Sequence, residues 1–198
     1  MNLRFPAGCP HFKESDWDNY QLIQYRQFVK YSPHRKTALD CGAHAGIMTR
    51  RMSKDFKNVV SFEPVHYTLL TSNTLDLHNV DIKPFGVLDH LGIVPISINL
   101  NNSGDCVIGS GPDEIEVITI DWLDLRDISA IKMDVQGSEM AALVGAARTI
   151  QRDHPTLMLE IEKDDSNREM IEETMLEWDY VKVFEKNADR VYQWCGWR

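Results

Sequence analysis

The chain has 198 residues, 43% of them hydrophobic and 26% charged, with a net charge of −9. That length suits one domain with a sizeable core, and the acidic balance excludes broad electrostatic attraction to nucleic acid or to an anionic membrane. No apolar run approaches the roughly 18 residues that cross a bilayer, the opening MNLRFPAGCP lacks the apolar core of a secretory leader, and Cys9, Cys41, Cys106 and Cys195 form no C-x-x-C pair, so a cytoplasmic protein without a zinc site or disulfide framework is expected.

Residues 1–14 carry Pro6, Gly8 and Pro10 and read as irregular. From Ser15 the stretch SDWDNYQLIQYRQFVKYS predicts a helix. Ser15 or Asp16 can cap it, Trp17, Tyr20, Ile23 or Gln24 and Phe28 share a face, and Pro33 ends it. Strands and helices then alternate. The pattern predicts a strand over 37–41, a helix over 45–56, a strand over 58–63 and a helix over 65–78. Strands over 80–88 and 93–100 follow, then a polar, glycine-containing loop over 101–114 and a strand over 115–120. A strand over 128–135, a helix over 138–151, a strand over 155–161 and a helix over 167–178 precede a closing hairpin, 180–185 with 190–194. Such alternation implies a mostly parallel sheet covered on both faces. Ligands on these sheets bind beyond the carboxyl ends of the strands. Four strand ends therefore matter: Asp40–Gly46, Glu63–Pro64, Val87–Asp89 and Asp134–Gly137.

The first reads ALDCGAHAG. Its glycine spacing is not G-x-G-x-x-G, and no G-K-[ST] follows, so neither a dinucleotide nor a Walker fingerprint is present. Asp40 would repel a pyrophosphate by about 4 kcal/mol per charge pair at contact distance, but it favours a cation. Glu63, ending the next strand, stands where an acid accepts both ribose hydroxyls. A ligand with a ribose, no phosphate and a positive amino-acid end is S-adenosyl-L-methionine, whose ammonium and sulfonium suit Asp40 and Asp134.

Four blocks in order, LDCGAHAG, SFEP, IKMDVQGSEMAALVGA and PTLMLEIE, resemble the FkbM-type methyltransferases. That family's pattern is D-x-G-A-N-x-G, then F-E-P, then K-x-D-[VI]-[EQ]-G-x-E with a following G-A, then P-x-x-x-x-E. The resemblance spans residues 37 to 162. It implies an S-adenosylmethionine-dependent enzyme that O-methylates hydroxyl groups on sugars or small metabolites. It also implies an α/β, Rossmann-like class I fold: a seven-stranded sheet, six strands parallel and one antiparallel, with helices on both faces. Residues 37–198 then form the methyltransferase domain; residues 1–36 match nothing in the family and are expected as a helical extension packed over the cofactor or acceptor. His44 replaces the usual asparagine and His66 follows the F-E-P, both still able to hydrogen bond. Gln136 stands where glutamate is common; that removes a charge, and no metal is expected.

The resemblance and the strand-end rule together give the candidate site. Asp40, Gly42, Ala43, His44, Gly46, Glu63, Pro64, Val87 and Asp134 would bind the cofactor, with Val87, Leu88 and Asp89 as an adenine wall. Lys132 and Asp134 lie two apart on one strand and share a side. Asp134 would steer the sulfonium or accept the acceptor's proton, Lys132 would orient it, and Glu160 matches the family's second acid. A purely structural pairing of Lys132 with Asp134 or Glu160 is the competing account. Glu139 reads as a first-turn acid favouring its helix dipole, and Glu162 shares a side with Glu160. Asn102, Ser103 and Asp105 are candidates for holding acceptor hydroxyls, and the five tryptophans read as core or rim. The expected partner is a small-molecule or glycan acceptor, with no membrane. Two other readings stand beside this one. An RNA ribose 2′-O-methyltransferase would use Lys36, Asp134, Lys163 and Glu160, but the acidic charge weighs against it. A non-catalytic cofactor-binding module would not need the strand-end acids.

Overall fold

The structure, a computed structural model, describes residues 3–6, 17–99, 102–104, 106–163 and 165–196. Its main sheet contains β1 (Thr37–Cys41), β2 (Asn58–Phe62), β3 (Val80–Lys83), β8 (Ile128–Met133), β9 (Thr156–Glu160), β10 (Tyr180–Lys186) and β11 (Asp189–Trp194). The strand order is β10-β11-β9-β8-β1-β2-β3. β11 runs antiparallel to both neighbours, while the other pairs are parallel. This is the mixed seven-stranded sheet that the family resemblance implies. The order reverses between β1 and β8, and that switch point is where such folds bind ligands.

β8 is buried at every residue, ISAIKM, as a central parallel strand covered on both faces must be. Alternate side chains separate two cores. Leu39, Ile131, Met133, Leu157 and Leu159 pack beneath α4 (Glu139–Val144), α5 (Ala147–Asp153) and α6 (Arg168–Glu177). Ala38, Ala130 and Met158 face α1 (Leu22–Lys30) and α2 (Ile47–Asp55) through Phe28, Met48 and Met52. Asp40 and Lys132 are register partners across β1 and β8, so their charges meet on that second face. Among the described residues, no helix is long and apolar enough to cross a membrane.

Four expectations change. The helix expected from Ser15 begins at Leu22. Residues 15 and 16 lie outside the described residues, and Trp17–Gln21 form turns ending in a left-handed Gln21 at φ 46°. The strand expected over 80–88 stops at Lys83, because Pro84 has no amide N–H for the ladder. It resumes as β4 (Gly86–Val87) in another sheet. That second sheet, order β4-β7-β5-β6, adds β5 (Gly92–Ile98), β6 (Cys106–Ile108) and β7 (Asp113–Ile118), and part of it comes from the stretch read as a loop. The helix expected over 138–151 breaks at Gly145 and Ala146 into α4 and α5. A Cβ on Gly145 would lie 1.9 Å from the Leu88 carbonyl oxygen, so the break sits where the helical segment meets backbone. Between β2 and β3, α3 (Tyr67–Thr74) completes the alternation.

Candidate active site

The turn after β1 is built around backbone contact. Gly42 has φ +77°, and a Cβ there would stand 1.9 Å from the Asp134 carbonyl oxygen. The amides of Gly42 and Ala43 both donate to the Phe62 carbonyl at 3.0 Å, joining the ends of β1 and β2. His44, left-handed at φ 48°, donates its amide to Glu63 Oε2 at 2.8 Å. Glu63 Oε1 accepts from the Val65 and His66 amides, each at 2.9 Å. One carboxylate therefore fixes two loops: Oε1 already accepts two amides, and Oε2 keeps lone-pair capacity for a ligand hydroxyl. His44 Nε2 lies 2.8 Å from Ser103 Oγ, and its ring meets His66 edge-on at 5.2 Å. Burial and the neighbouring His66 push the His44 imidazole down to about 4, so it is neutral at pH 7.

Beside this turn lies a charged cluster. Lys132 Nζ sits 3.2 Å from Asp134 Oδ2 and 3.6 Å from Asp40 Oδ1. Burial alone would lower the lysine, but the two carboxylates outweigh it and hold the ammonium above its ordinary value. Burial likewise opposes ionisation of Asp134, yet Lys132 and hydrogen bonds from Glu160 and Gln136 keep it below the usual carboxylate range. Gln136 Nε2 donates to Asp134 Oδ1 at 2.9 Å. Glu160 goes the other way: burial, then the charge of Asp134, push it up to about 10. At neutral pH one carboxyl is an anion and its neighbour a hydrogen-bond donor.

These residues open on a cleft of about 400 Å³, within the size range of small-ligand sites. Of the expected residues, Gly42, Ala43, His44, Glu63, Pro64, Val87, Lys132, Asp134 and Glu160 line it, as do Asn102, Ser103 and Glu162. Asp40 and Gly46 do not. Asp40 is fully buried beneath the turn, bonded by Thr49 Oγ1 at 2.7 Å and covered by Lys132, so it acts on the cleft only through that lysine. Leu88 and Asp89 also fall outside the cleft lining; after the Pro84 break Asp89 points outward and pairs with His90. Asp105 lies outside the described residues. Glu139 opens the first turn of α4 as expected, but it is buried, and its Oε1 accepts from the Val135 amide at 2.8 Å.

Sequence reading missed Trp17, Tyr20, Phe85, Ile96, Cys106 and Ile108, all of which line the cleft. Tyr20 was visible only as part of a helical face, and β5 and β6 gave no local signal of where they fold. Burial, then the charge of Asp134, raise the Tyr20 hydroxyl above its ordinary range.

The residues present fit S-adenosyl-L-methionine on three counts. The glycine turn lets a ligand approach the backbone, the Glu63 carboxylate faces the cleft, and Phe85, Val87 and Ile96 offer an apolar wall. Among the described residues, Lys132 is the one lysine or arginine lining the cleft, and two carboxylates already neutralise it, so no free Lys or Arg side chain there meets a pyrophosphate.

The methyltransferase FkbM domain model matches residues 40–182. The chain belongs to the FkbM methyltransferase family. This FkbM-family chain is similar to the methyltransferase FkbM from Methylobacillus flagellatus KT (22% identity, TM-score 0.62), covering 80% of this chain and 43% of that one. It therefore spans less than half of that relative. It is similar in fold to a putative methyltransferase from Streptococcus mutans in complex with SAH (12% identity, TM-score 0.52, 86% of this chain and 93% of that one). A putative RNA methyltransferase from Pyrococcus horikoshii shares the fold too (11% identity, TM-score 0.52, 97% and 93%). No curated protein matches significantly.

Glu139 gives this FkbM-family chain a pH signature. Burial pushes its carboxyl up from 4.5 to about 7. A raised carboxyl favours the folded state below its unfolded value and loses that contribution as pH rises towards the folded one. Glu139→Gln keeps the acceptor for Val135 without the charge. It is expected to raise stability at pH 7.5 by roughly 2–3 kcal/mol and to change little at pH 4.5. Urea unfolding of both proteins at the two pH values checks this; equal differences at both would remove the buried acid from the account.

Proposed function

We propose that the protein transfers the methyl group of S-adenosyl-L-methionine to a hydroxyl oxygen of a small molecule or sugar. The observation that supports this best is the carboxyl pair at the ends of β8 and β9. Asp134 is held as an anion and Glu160 as a neutral acid, and paired carboxyls pushed apart in this way divide acid and base roles. In this reading Glu63 accepts from the ribose hydroxyls, the Gly42–His44 backbone lies along the nucleoside, and Phe85 and Val87 flank the base.

When bound, the cofactor supplies an electrophilic methyl on a positively charged sulfur. The chain's own residues do the rest. Asp134 would lie beside that charge, orient the acceptor hydroxyl and take its proton, with the cofactor's sulfur as the leaving group that keeps the electron pair of its former bond to the methyl. Gln136 holds Asp134 Oδ1 and Lys132 pairs with Oδ2, with Glu160 hydrogen-bonded to the same carboxylate. Neutral Glu160 spares the site a second negative charge. Because alignment of the reactants supplies much of the acceleration, the proton transfer contributes about a hundredfold.

Asp134→Asn should lower turnover about a hundredfold while S-adenosylhomocysteine affinity changes far less. The assay is transfer of labelled methyl from S-adenosylmethionine into a sugar-bearing metabolite pool and, in parallel, into RNA. Undiminished turnover would remove Asp134 from its role, and label appearing in RNA alone would overturn the acceptor class. The lysine set for RNA ribose methylation is not assembled. Lys36 precedes β1 at the amino end of the sheet and pairs with Asp127, and Lys163 is exposed and outside the cleft lining.

A further inference from the structure

S-adenosyl-L-methionine also carries a carboxylate, and the strand mouths are a poor place for it, because Glu63 and Asp134 stand there. Two features on the other side of the glycine turn suit an anion. α2 begins at Gly46 with no side-chain cap and no acid in its first turn. Its first amides have no intrahelical acceptor, the helix dipole is positive there, and Ile47 and Met48 line the cleft. The second feature is Trp17, which also lines the cleft. It is 9% exposed, packs on Ile47, and its Nε1 is buried with no hydrogen-bond partner among the described residues. A buried indole N–H without an acceptor is costly, so an acceptor supplied by a ligand explains it.

The protein places this indole deliberately. Arg51, one helical turn into α2, donates from Nη2 to the carbonyls of Trp17 at 2.8 Å and Asp18 at 3.2 Å, and from Nη1 to the Tyr20 carbonyl. The turn 17–20 is thus tied to the helix whose amino end faces the cleft. Phe5 completes the seat, its ring 4.8 Å from Trp17 and 6.0 Å from His44.

We propose that Trp17 Nε1, together with the first amides of α2, forms the subsite for the carboxylate of the cofactor's amino-acid end. This rests on the cofactor reading above. The test is calorimetric titration of wild type and Trp17→Phe with two probes, S-adenosylmethionine and its decarboxylated form. Phenylalanine keeps the ring packing and removes the donor. Loss of a hydrogen bond to a charged group should weaken S-adenosylmethionine about tenfold or more, with the decarboxylated probe unchanged within about twofold. Equal weakening of both probes, or of neither, would overturn the subsite, and so would wild type binding both equally well. Wild type binding neither probe would instead sink the cofactor reading on which the subsite depends.

Discussion

Lys132→Met should cost about 3–5 kcal/mol of folding stability, the usual penalty for breaking a buried ion pair from one side. Lys132 is 3% exposed, and it bridges Asp40, fully buried, and Asp134. Methionine fills similar space, so the loss reports charge rather than a cavity. Its pH dependence has a definite sign. Asp134 is now held below its ordinary value, and such a group stabilises the fold above the unfolded value and loses that contribution as pH falls. Without the ammonium, burial would push the Asp134 carboxyl up. The penalty should therefore be largest near neutrality and shrink towards pH 4, where that carboxyl can take a proton. Guanidinium unfolding across that range measures it. A variant as stable as wild type at pH 7 would show that the lysine is not the counterion of this cluster.

The second large effect lies one residue beyond β1. Gly42→Ala should destabilise the protein by at least about 3 kcal/mol, combining left-handed strain with overpacking. The new Cβ meets carbonyl oxygen, not a flexible side chain, so β8 has to move. Gly137 supplies the control. It too is left-handed, at φ +87°, but a Cβ there meets nothing within 4 Å, so Gly137→Ala should cost only the strain, about 1–2 kcal/mol. Thermal melts of the two variants separate contact from conformation. Equal losses would mean that the approach of β1 to β8 is looser than 1.9 Å implies.

Much of this architecture is legible from local pattern. The main strands announce themselves as short apolar runs between helical periods, and three of the four strand-end segments contribute several residues each to the cleft. Asp134 and Lys132 were placed on one side of a strand by period two alone. The errors have a common cause: a local pattern cannot show what lies across space. Asp40 reads as a ligand carboxylate because it ends a strand, yet register puts Lys132 opposite and Thr49 above, and these consume it. β6 is three residues long inside a polar stretch, and Pro84 divides one apparent strand between two sheets, so the second sheet left no continuous signal. Trp17 looked like an ordinary core or rim tryptophan. Its role depends on Arg51, which holds its carbonyl from α2 and has no mark in the sequence around either residue.

The cleft draws its walls from two separately hydrogen-bonded sheets. The floor comes from the ends of β1, β2, β8 and β9, where a changed side chain disturbs shared charges and close backbone contacts. Ile96, Cys106 and Ile108 come from the smaller sheet, whose ladders do not pass through those charges. Relatives can therefore diverge in the roof while inheriting an unaltered floor, and swapping residues 92–108 between homologues is the natural way to retailor what this scaffold accepts.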